Sequence, residues 1–382
     1  MFHRLQSFID RKKESAFLWG ARQTGKSTLL KSLYPKSPYY DLLKSDEYAR
    51  LSRRPSLLRE ELLALPSSAS APVIVDEVQK CPELLDEAQW LIVNKGFSFI
   101  LCGSSARKLK RFGANLLGGR ALRYELFPLV SGEIPKFDLN RALNHGLLAR
   151  HYLAENVKPM MESYLGDYLK EEIAGEAMIR KVPVFAHFLE AAAFSNGEMV
   201  NYHNIASDCG VSGPTVKEYF HILEDTRIGR FLPAYRKRPK RRVVTAPKFY
   251  YFDVGVAAHL LKRGPVSPGS EAFGKAFEHF LYNEIVAHSS YSGLHYPISY
   301  WRTTSQLEVD FVLGDNEAAI EVKSSSSVDE RHLRGLKAFQ EEYKVKEGIV
   351  VSMDEKPRQL GSIKVLPWKL FLEHLWAGKI IK

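Results

Sequence analysis

Eight residues near the amino end constrain this 382-residue chain more than any other feature. Gly20-Ala-Arg-Gln-Thr-Gly-Lys-Ser27 fits the pattern G-x-x-x-x-G-K-[ST] at every fixed position. An apolar run, Ala16-Phe-Leu-Trp19, precedes it, and a helical pattern, Ser27-Thr-Leu-Leu-Lys-Ser-Leu33, follows. A strand, a glycine-bearing turn and a helix N-terminus in that order make a cradle for phosphate. Backbone N–H groups approach the ligand closely there, and the helix dipole adds positive potential. Lys26 is expected to reach the β- and γ-phosphates of ATP, and the Ser27 hydroxyl to ligate Mg²⁺. Gly20, Ala21, Arg22, Gln23, Thr24, Gly25 and Thr28 complete the expected nucleotide contacts. A chain with this motif in this setting is expected to build an α/β fold on a parallel sheet.

Two further strand ends fit that sheet. Val73-Ile-Val75 is a β-branched run that ends in Asp76-Glu77. In an open parallel sheet, ligands bind at the C-terminal strand edge. Asp76 is therefore expected to help hold Mg²⁺, and Glu77 to polarise the water that attacks the γ-phosphate. A third run, Phe97–Cys102, leads to Ser104, whose hydroxyl is placed to contact the γ-phosphate or that water. Arg120, after Leu116-Leu-Gly-Gly, is a candidate transition-state cation, acting in cis or toward a neighbouring subunit.

The composition is that of a globular protein, with 45% apolar and 26% charged residues. No apolar stretch approaches the length of a membrane span, and the first residues lack a signal-peptide core, so the reading is no membrane and no secretion. Cys81, Cys102 and Cys209 are too few and too scattered for a disulfide framework or a zinc site, which suits a cytoplasmic protein. The net charge of +10 points to an anionic partner, most simply nucleic acid. Signal changes along the chain suggest an ATPase domain over 1–130, a connector over 131–160, a helical region over 161–262, and a second α/β unit over 263–382. That unit opens on the flexible-looking stretch Arg263-Gly-Pro-Val-Ser-Pro-Gly-Ser270.

Within the helical region, residues 200–223 have helix-turn-helix spacing. Gly210 permits the turn, Ser212 caps the second helix, Pro214 sits in its first turn, and Val216, Phe220 and Leu223 recur on one face. Arg236, Lys237, Arg238, Lys240, Arg241 and Arg242 follow without an acid, and Lys248-Phe-Tyr-Tyr-Phe252 then reads as a strand. The pattern is a winged helix, and the basic segment 236–248 is expected to contact DNA phosphates.

Near the carboxyl end, Glu308-Val-Asp-Phe-Val-Leu313 and Ala318-Ala-Ile-Glu-Val-Lys323 read as a hairpin around Gly314-Asp-Asn-Glu317. A two-residue loop at Asp315-Asn316 would set Asp310 opposite Glu321, with Lys323 on the same face. Facing carboxylates repel unless a cation lies between them, and Mg²⁺ takes one or two carboxylates with waters and phosphate. Glu278, in the preceding helical stretch, is a candidate third ligand. An exposed charge network would show the same spacing.

Asp310, Glu321 and Lys323 resemble the metal site of the PD-(D/E)XK nuclease superfamily, and Glu278 resembles the acid that precedes its core. The whole pattern resembles a large prokaryotic group of AAA+ ATPases with an uncharacterised C-terminal domain. Gly20–Ser27, Val75-Asp-Glu-Val-Gln79, Gly103-Ser-Ser-Ala106 and Gly118-Gly-Arg120 carry the ATPase half of the likeness. Phe249-Tyr-Tyr-Phe-Asp253, Tyr300-Trp-Arg302, Glu308-Val-Asp310 and Ile320-Glu-Val-Lys323 carry the other. The resemblance implies a P-loop AAA+ domain, a winged-helix middle and a restriction-endonuclease-like α/β module. It also implies ATP and Mg²⁺ as cofactors, with Mn²⁺ as a substitute at the nuclease-like site, and a homo-oligomer. Three functions stay open on these residues: an ATPase that engages and cuts DNA, an ATP-driven scaffold or switch whose nuclease-like module binds DNA or protein without cleavage, and a sensor that assembles on nucleotide binding and has no DNA role.

Overall fold

Three apolar runs buried at every residue form the centre of the first sheet: β1 (Ser15–Trp19), β3 (Val73–Asp76) and β4 (Phe99–Gly103). Burial on both faces is why they read as continuous hydrophobic strings. The computed structural model describes residues 2–8, 14–65, 71–105, 107, 109, 117–166, 168, 179, 181–237 and 241–382. Two strands without a clear sequence signal, the three-residue β2 (Tyr39–Asp41) and β5 (Ala121–Glu125), join the sheet. The order is β2-β3-β4-β1-β5, and every neighbouring pair is parallel. Phe17, Val75 and Leu101 face a core completed by α2 (Ser45–Arg53), α3 (Ser56–Leu63) and α4 (Leu84–Lys95). Leu18, Ile74 and Ile100 face the other way, onto Leu29 and Leu30 of α1 (Lys26–Leu33).

The stretch read as a connector is helical. It holds α5 (Leu139–His145), α6 (Ala149–Leu153) and the start of α7 (Lys158–Ser163). These helices run two turns or less, too short for a periodic signal to emerge from the charges around it. Leu139, Leu143 and Tyr152 enter the same core as Phe273 and Phe280. The stretch 263–270 is pinned as well. Val266 is buried, its N–H donates to Asn144 Oδ1 at 2.7 Å, and its carbonyl accepts from Asn144 Nδ2 at 3.2 Å.

The middle follows as α8 (Val182–Phe194), α9 (Tyr202–Cys209), α10 (Gly213–Asp225) and the antiparallel pair β6 (Gly229–Leu232) and β7 (Lys248–Tyr251). Asn201 caps α9, Gly210 takes a φ of +62°, and Ser212 accepts from the Thr215 N–H to cap α10. Val216, Phe220 and Leu223 are all buried.

After α11 (Val254–Leu260) and the long α12 (Glu271–Tyr291), a mixed sheet is built from β8 (Ile298–Arg302), β9 (Glu308–Leu313), β10 (Ala318–Lys323), β11 (Glu347–Ser352), β12 (Arg358–Leu360) and β13 (Ile363–Pro367). Its order is β12-β13-β11-β10-β9-β8. β8, β9 and β10 form an antiparallel meander. The chain then crosses through α13 (Arg334–Glu342) to β11, parallel to β10, and ends on α14 (Trp368–Trp376). The β9–β10 ladder has the expected register, from Ala318↔Leu313 to Ile320↔Phe311. It stops one pair short of Asp310 and Glu321, because β9 bulges there. Two steps on β8, Ser299 to Trp301, match three on β9, Val312 to Val309. The turn has Gly314 and Asn316, not Asp315, at positive φ.

Among the described residues no helix is long and apolar enough to cross a membrane. Cys81, Cys102 and Cys209 are free and buried.

Candidate functional sites

The glycine-bearing loop lies at the C-terminal edge of β1, and Lys26 opens α1 behind it. Gly25 takes a φ of +94° and Gln23 one of +65°, the curl that aims successive N–H groups inward. Lys26 is 5% exposed, and its ammonium donates to the carbonyls of Gly20 at 2.7 Å and Ala21 at 3.1 Å. The loop thus folds its own cation over the cradle. Thr24 Oγ1 closes the turn onto Ala21 O at 2.9 Å, and the Arg22 N–H donates to Tyr168 OH at 3.4 Å. Thr28 is exposed on the first turn of α1.

Parallel pairing brings the end of β3 beside this loop. Ser27 Oγ donates to Asp76 Oδ2 at 2.6 Å, so a hydroxyl and a buried carboxylate already share one point. Those two oxygens suit Mg²⁺, which prefers hard oxygen ligands and keeps waters. Tyr39 OH donates to the same Asp76 oxygen at 2.5 Å. Burial, and then that bond to a carboxylate, push the Tyr39 phenol pKa up, so it stays a donor.

Glu77 is 7% exposed and sits at φ +57°, a left-handed conformation that L side chains adopt at a cost of about 1 kcal/mol or more. Strain of this kind clusters where geometry serves chemistry. Gln79, which the sequence placed in the Val75–Gln79 motif without a role, donates from Nε2 both to Glu77 Oε2 and to Ser104 Oγ, the latter at 3.0 Å. Gln79 Oε1 is buried without a partner. One amide therefore ties together the two residues read as acting on water and γ-phosphate.

Arg120 lies elsewhere. Ala121 pairs with Ser15 and Glu125 with Trp19, so the start of β5 is level with the start of β1. That puts Arg120 about 15 Å of strand away from the loop edge, beyond reach in cis. Ala106 and Leu116 lie outside the described residues.

The second constellation gathers around the β9 bulge. The Asp310 carboxylate accepts the Val322 N–H at 2.7 Å and so takes the place of a missing ladder bond. Lys323 Nζ lies 2.5 Å from Glu321 Oε1, while Glu321 Oε2 is buried with no partner. Burial, then the like charges of Glu321 and Glu278, hold the Asp310 carboxyl well above the usual range. Burial pushes Glu321 to about 7, against the pull of Lys323. Two buried carboxylates, one with an orphaned oxygen, are a donor set that fits a hard divalent cation.

Glu278 enters the cluster from α12, but in a pairing role. Its Oε1 accepts Tyr250 OH at 2.5 Å and lies 3.4 Å from Lys248 Nζ. Lys248, 3% exposed, also lies 2.7 Å from Glu308 Oε1, and Arg302 NH1 lies 3.0 Å from Glu308 Oε2. Burial alone would lower the Lys248 pKa. Glu278, Glu308 and Asp310 outweigh it, and the net shift is upward. Lys248 closes the segment 236–248 expected to contact DNA, and its burial against Glu278 and Glu308 takes it off that surface. Tyr250, Arg302 and Glu308 were given no role from sequence; an alternating strand gives no sign of which charges will be buried together. Among the described residues no three His, Cys, Asp or Glu side chains converge closely enough to hold a metal ion.

The basic segment is partly committed within the molecule. Arg241 donates to Ala338 O at 2.8 Å and lies 2.6 Å from Glu341 Oε2 and 3.3 Å from Glu342 Oε2. Lys237 pairs with Asp315. Val243 and Ala234 bridge to Thr303 and Tyr300, so the segment lies along the edge of β8. Arg236, Lys237 and Arg242 are exposed, and Arg238 and Lys240 lie outside the described residues. On α10, Glu218 and Asp225 bind Arg107, the latter pair at 3.1 Å.

Three family models match the chain in succession: an AAA domain over residues 12–134, Domain of unknown function (DUF8612) over 136–267, and Domain of unknown function (DUF4143) over 273–371. No curated protein matches it in sequence. Among solved structures, the Aeropyrum pernix ORC1 protein in complex with DNA is similar at 12% identity, over 65% of this chain and 86% of that one, with a TM-score of 0.25. A signal transduction ATPase with numerous domains and a tetratricopeptide repeat sensor, from Pyrococcus horikoshii, is similar at 12% identity, over 77% of this chain and 49% of that one, with a TM-score of 0.22. The parallel sheet, the phosphate loop and the AAA-domain match over 12–134 agree: the N-terminal third has the make-up of an AAA-type domain, which binds and hydrolyses ATP.

Proposed function

We propose that this chain couples ATP turnover to DNA, and that its C-terminal module is a metal-dependent nuclease. The observation that carries the second half is the meeting of Asp310, Glu321 and Lys323 at a strand bulge, with Glu321 Oε2 left unpartnered.

In the ATPase half, Lys26 leaves the Gly20 and Ala21 carbonyls and turns onto the β- and γ-phosphates. Ser27 and Asp76 would hold Mg²⁺, which supplies neutralisation of phosphate charge. Glu77, held by Gln79, orients the attacking water, and Ser104 contacts the γ-phosphate. Arg120, too far along the sheet to act in cis, stabilises the transition state in a neighbouring copy, so the active form is a homo-oligomer.

In the C-terminal module, Asp310 and Glu321 would hold Mg²⁺ or Mn²⁺, which supplies charge stabilisation at a scissile phosphodiester. Lys323 donates to the phosphate or orients the attacking water. Arg236, Lys237 and Arg242 hold the DNA backbone. A non-cutting scaffold is the second reading, favoured by the absence, among the described residues, of three converging metal ligands.

Two assays test this. Lys26→Ala is expected to lower ATP turnover at least about a hundredfold with the circular dichroism spectrum unchanged; undiminished turnover would remove the phosphate-loop assignment. Plasmid DNA should be nicked in Mg²⁺ or Mn²⁺ by the parent protein and not by Asp310→Ala. If no DNA or RNA is cut with or without ATP, the scaffold reading replaces the nuclease.

A further inference from the structure

We infer that Lys248 is an internal counter-ion that holds the C-terminal carboxylate cluster closed to divalent cations. The inference rests on the metal-dependent reading above and deepens it by naming what occupies the site at rest. Four carboxylates, Glu278, Glu308, Asp310 and Glu321, are linked there through three cations, Lys248, Arg302 and Lys323, and among the described residues no three of the acids converge closely enough to hold a metal ion at rest. Arg302 and Lys323 come from β8 and β10 of the same sheet as Glu308, Asp310 and Glu321. Lys248 does not. It opens β7, which forms a two-stranded sheet with β6 and bridges to Met199 and Asn196, so the middle of the chain inserts its ammonium into a site built by the C-terminal sheet.

The burial is what makes the lysine informative. A lysine side chain 4% exposed must have its charge matched, since an isolated buried ammonium is far too costly. Here the match is to two carboxylates at once: 2.7 Å to Glu308 and 3.4 Å to Glu278. Tyr250, from the same strand, takes a further bond to Glu278 at 2.5 Å. Lys248 thus holds two acids that flank the Asp310–Glu321 pair. A divalent cation carries twice its charge and competes for the same oxygens. Removing the ammonium leaves the cluster one unit more negative and leaves Glu278 with Tyr250 and Glu308 with Arg302, one partner fewer for each acid, and both changes favour the metal.

The test measures Mn²⁺ binding to the full chain without nucleotide, by electron paramagnetic resonance of the free ion. Binding lost in the Asp310→Asn/Glu321→Gln variant defines the cluster. Lys248→Met, which keeps the stem and removes the charge, is expected to tighten that binding about tenfold or more. Lys248→Arg should bind as the parent does. A second measurement needs no variant at this position: mass-spectrometric acetylation of the parent protein should find Lys248 protected in buffer and several-fold more reactive at saturating Mn²⁺. That arm decides the matter if Lys248→Met does not fold. Cluster-dependent Mn²⁺ binding that Lys248→Met leaves unchanged or weakens, or a Lys248 that stays protected at saturation, overturns the counter-ion and leaves the metal site standing. No cluster-dependent Mn²⁺ binding in parent or variants overturns both.

Discussion

Gln79 does for Glu77 what a rigid backbone does for the phosphate loop: it removes freedom from a group that must act in one direction. Its position depends on Gly103. A Cβ at Gly103 would lie 2.3 Å from Gln79 Oε1 and 3.0 Å from the Trp19 ring. Gly103→Ala must therefore displace the buried amide and with it the hold on Glu77 and Ser104. The expected result is an ATP turnover number lower by about tenfold, with KM for ATP within about twofold, because Lys26 and the loop amides are untouched. Steady-state kinetics check this, and an equal rise in KM would show that the loop itself had moved. The pair Asp76-Glu77 was legible in sequence because a β-branched run ending in acids is a local signal. Gln79 was not, since nothing local shows that its side chain turns back toward the end of β4.

At the scale of elements, the β9–β10 hairpin shows both kinds of information. Alternation and the Gly314–Glu317 turn were enough for the register. The bulge at Asp310 was not legible, because one extra residue on β9 is defined only against its partner β8. It matters to the site: Phe311 turns into one core and Val309 stays in the other, while the Asp310 carboxylate is left to bond a backbone N–H.

Helix α12 offers a second element-level test. His288 is 3% exposed, with Nδ1 2.9 Å from Tyr296 OH and its ring edge-on to Trp376. Burial lowers its pKa from 6.5 to about 4. The folded chain therefore keeps this imidazole neutral while the unfolded chain takes up a proton as pH falls below 6.5. Its stability contribution is intact above that pH and is lost between 6.5 and about 4, by about 2 kcal/mol once solvent screening is allowed for. Other groups titrate in the same window, so the comparison is with His288→Gln. The deficit of the variant in urea unfolding at pH 8 should shrink by about that amount at pH 4; a deficit independent of pH would contradict a buried neutral imidazole.

At the scale of the molecule, the three segments are tied together by charge. Arg4 donates to Thr24 O in the phosphate loop at 2.6 Å and to Phe127 O at 2.7 Å, and lies 3.3 Å from Tyr291 OH on α12. Arg107 crosses to α10, and Arg241 to α13. These commitments redistribute the basic surface. Each phosphate contact contributes about 0.9 to the slope of log K against log salt. Neutralising the exposed pair Arg236 and Arg242 should flatten that slope for duplex DNA by about 2. Arg241→Ala should leave it unchanged while loosening the segment from α13. Binding titrations over a range of salt concentrations decide this, and a slope that responds to Arg241 instead would mean its ion pairs open on DNA.

The order of amino acids settled by itself whatever depends on neighbours in the chain. The phosphate loop is one case: a strand, glycines, a lysine and a helix start act through local backbone geometry. The caps at Asn201 and Ser212 and the hairpin register are others. Chain packing over long distances settled the rest. Lys248 reaching Glu308, Arg241 spent on α13, Arg120 at the wrong sheet edge for its own loop, and a connector that became part of a core all depend on which distant surfaces meet. The cost of burying an unpaired charge then selects the partners, and that cost is invisible until the fold has decided what is buried.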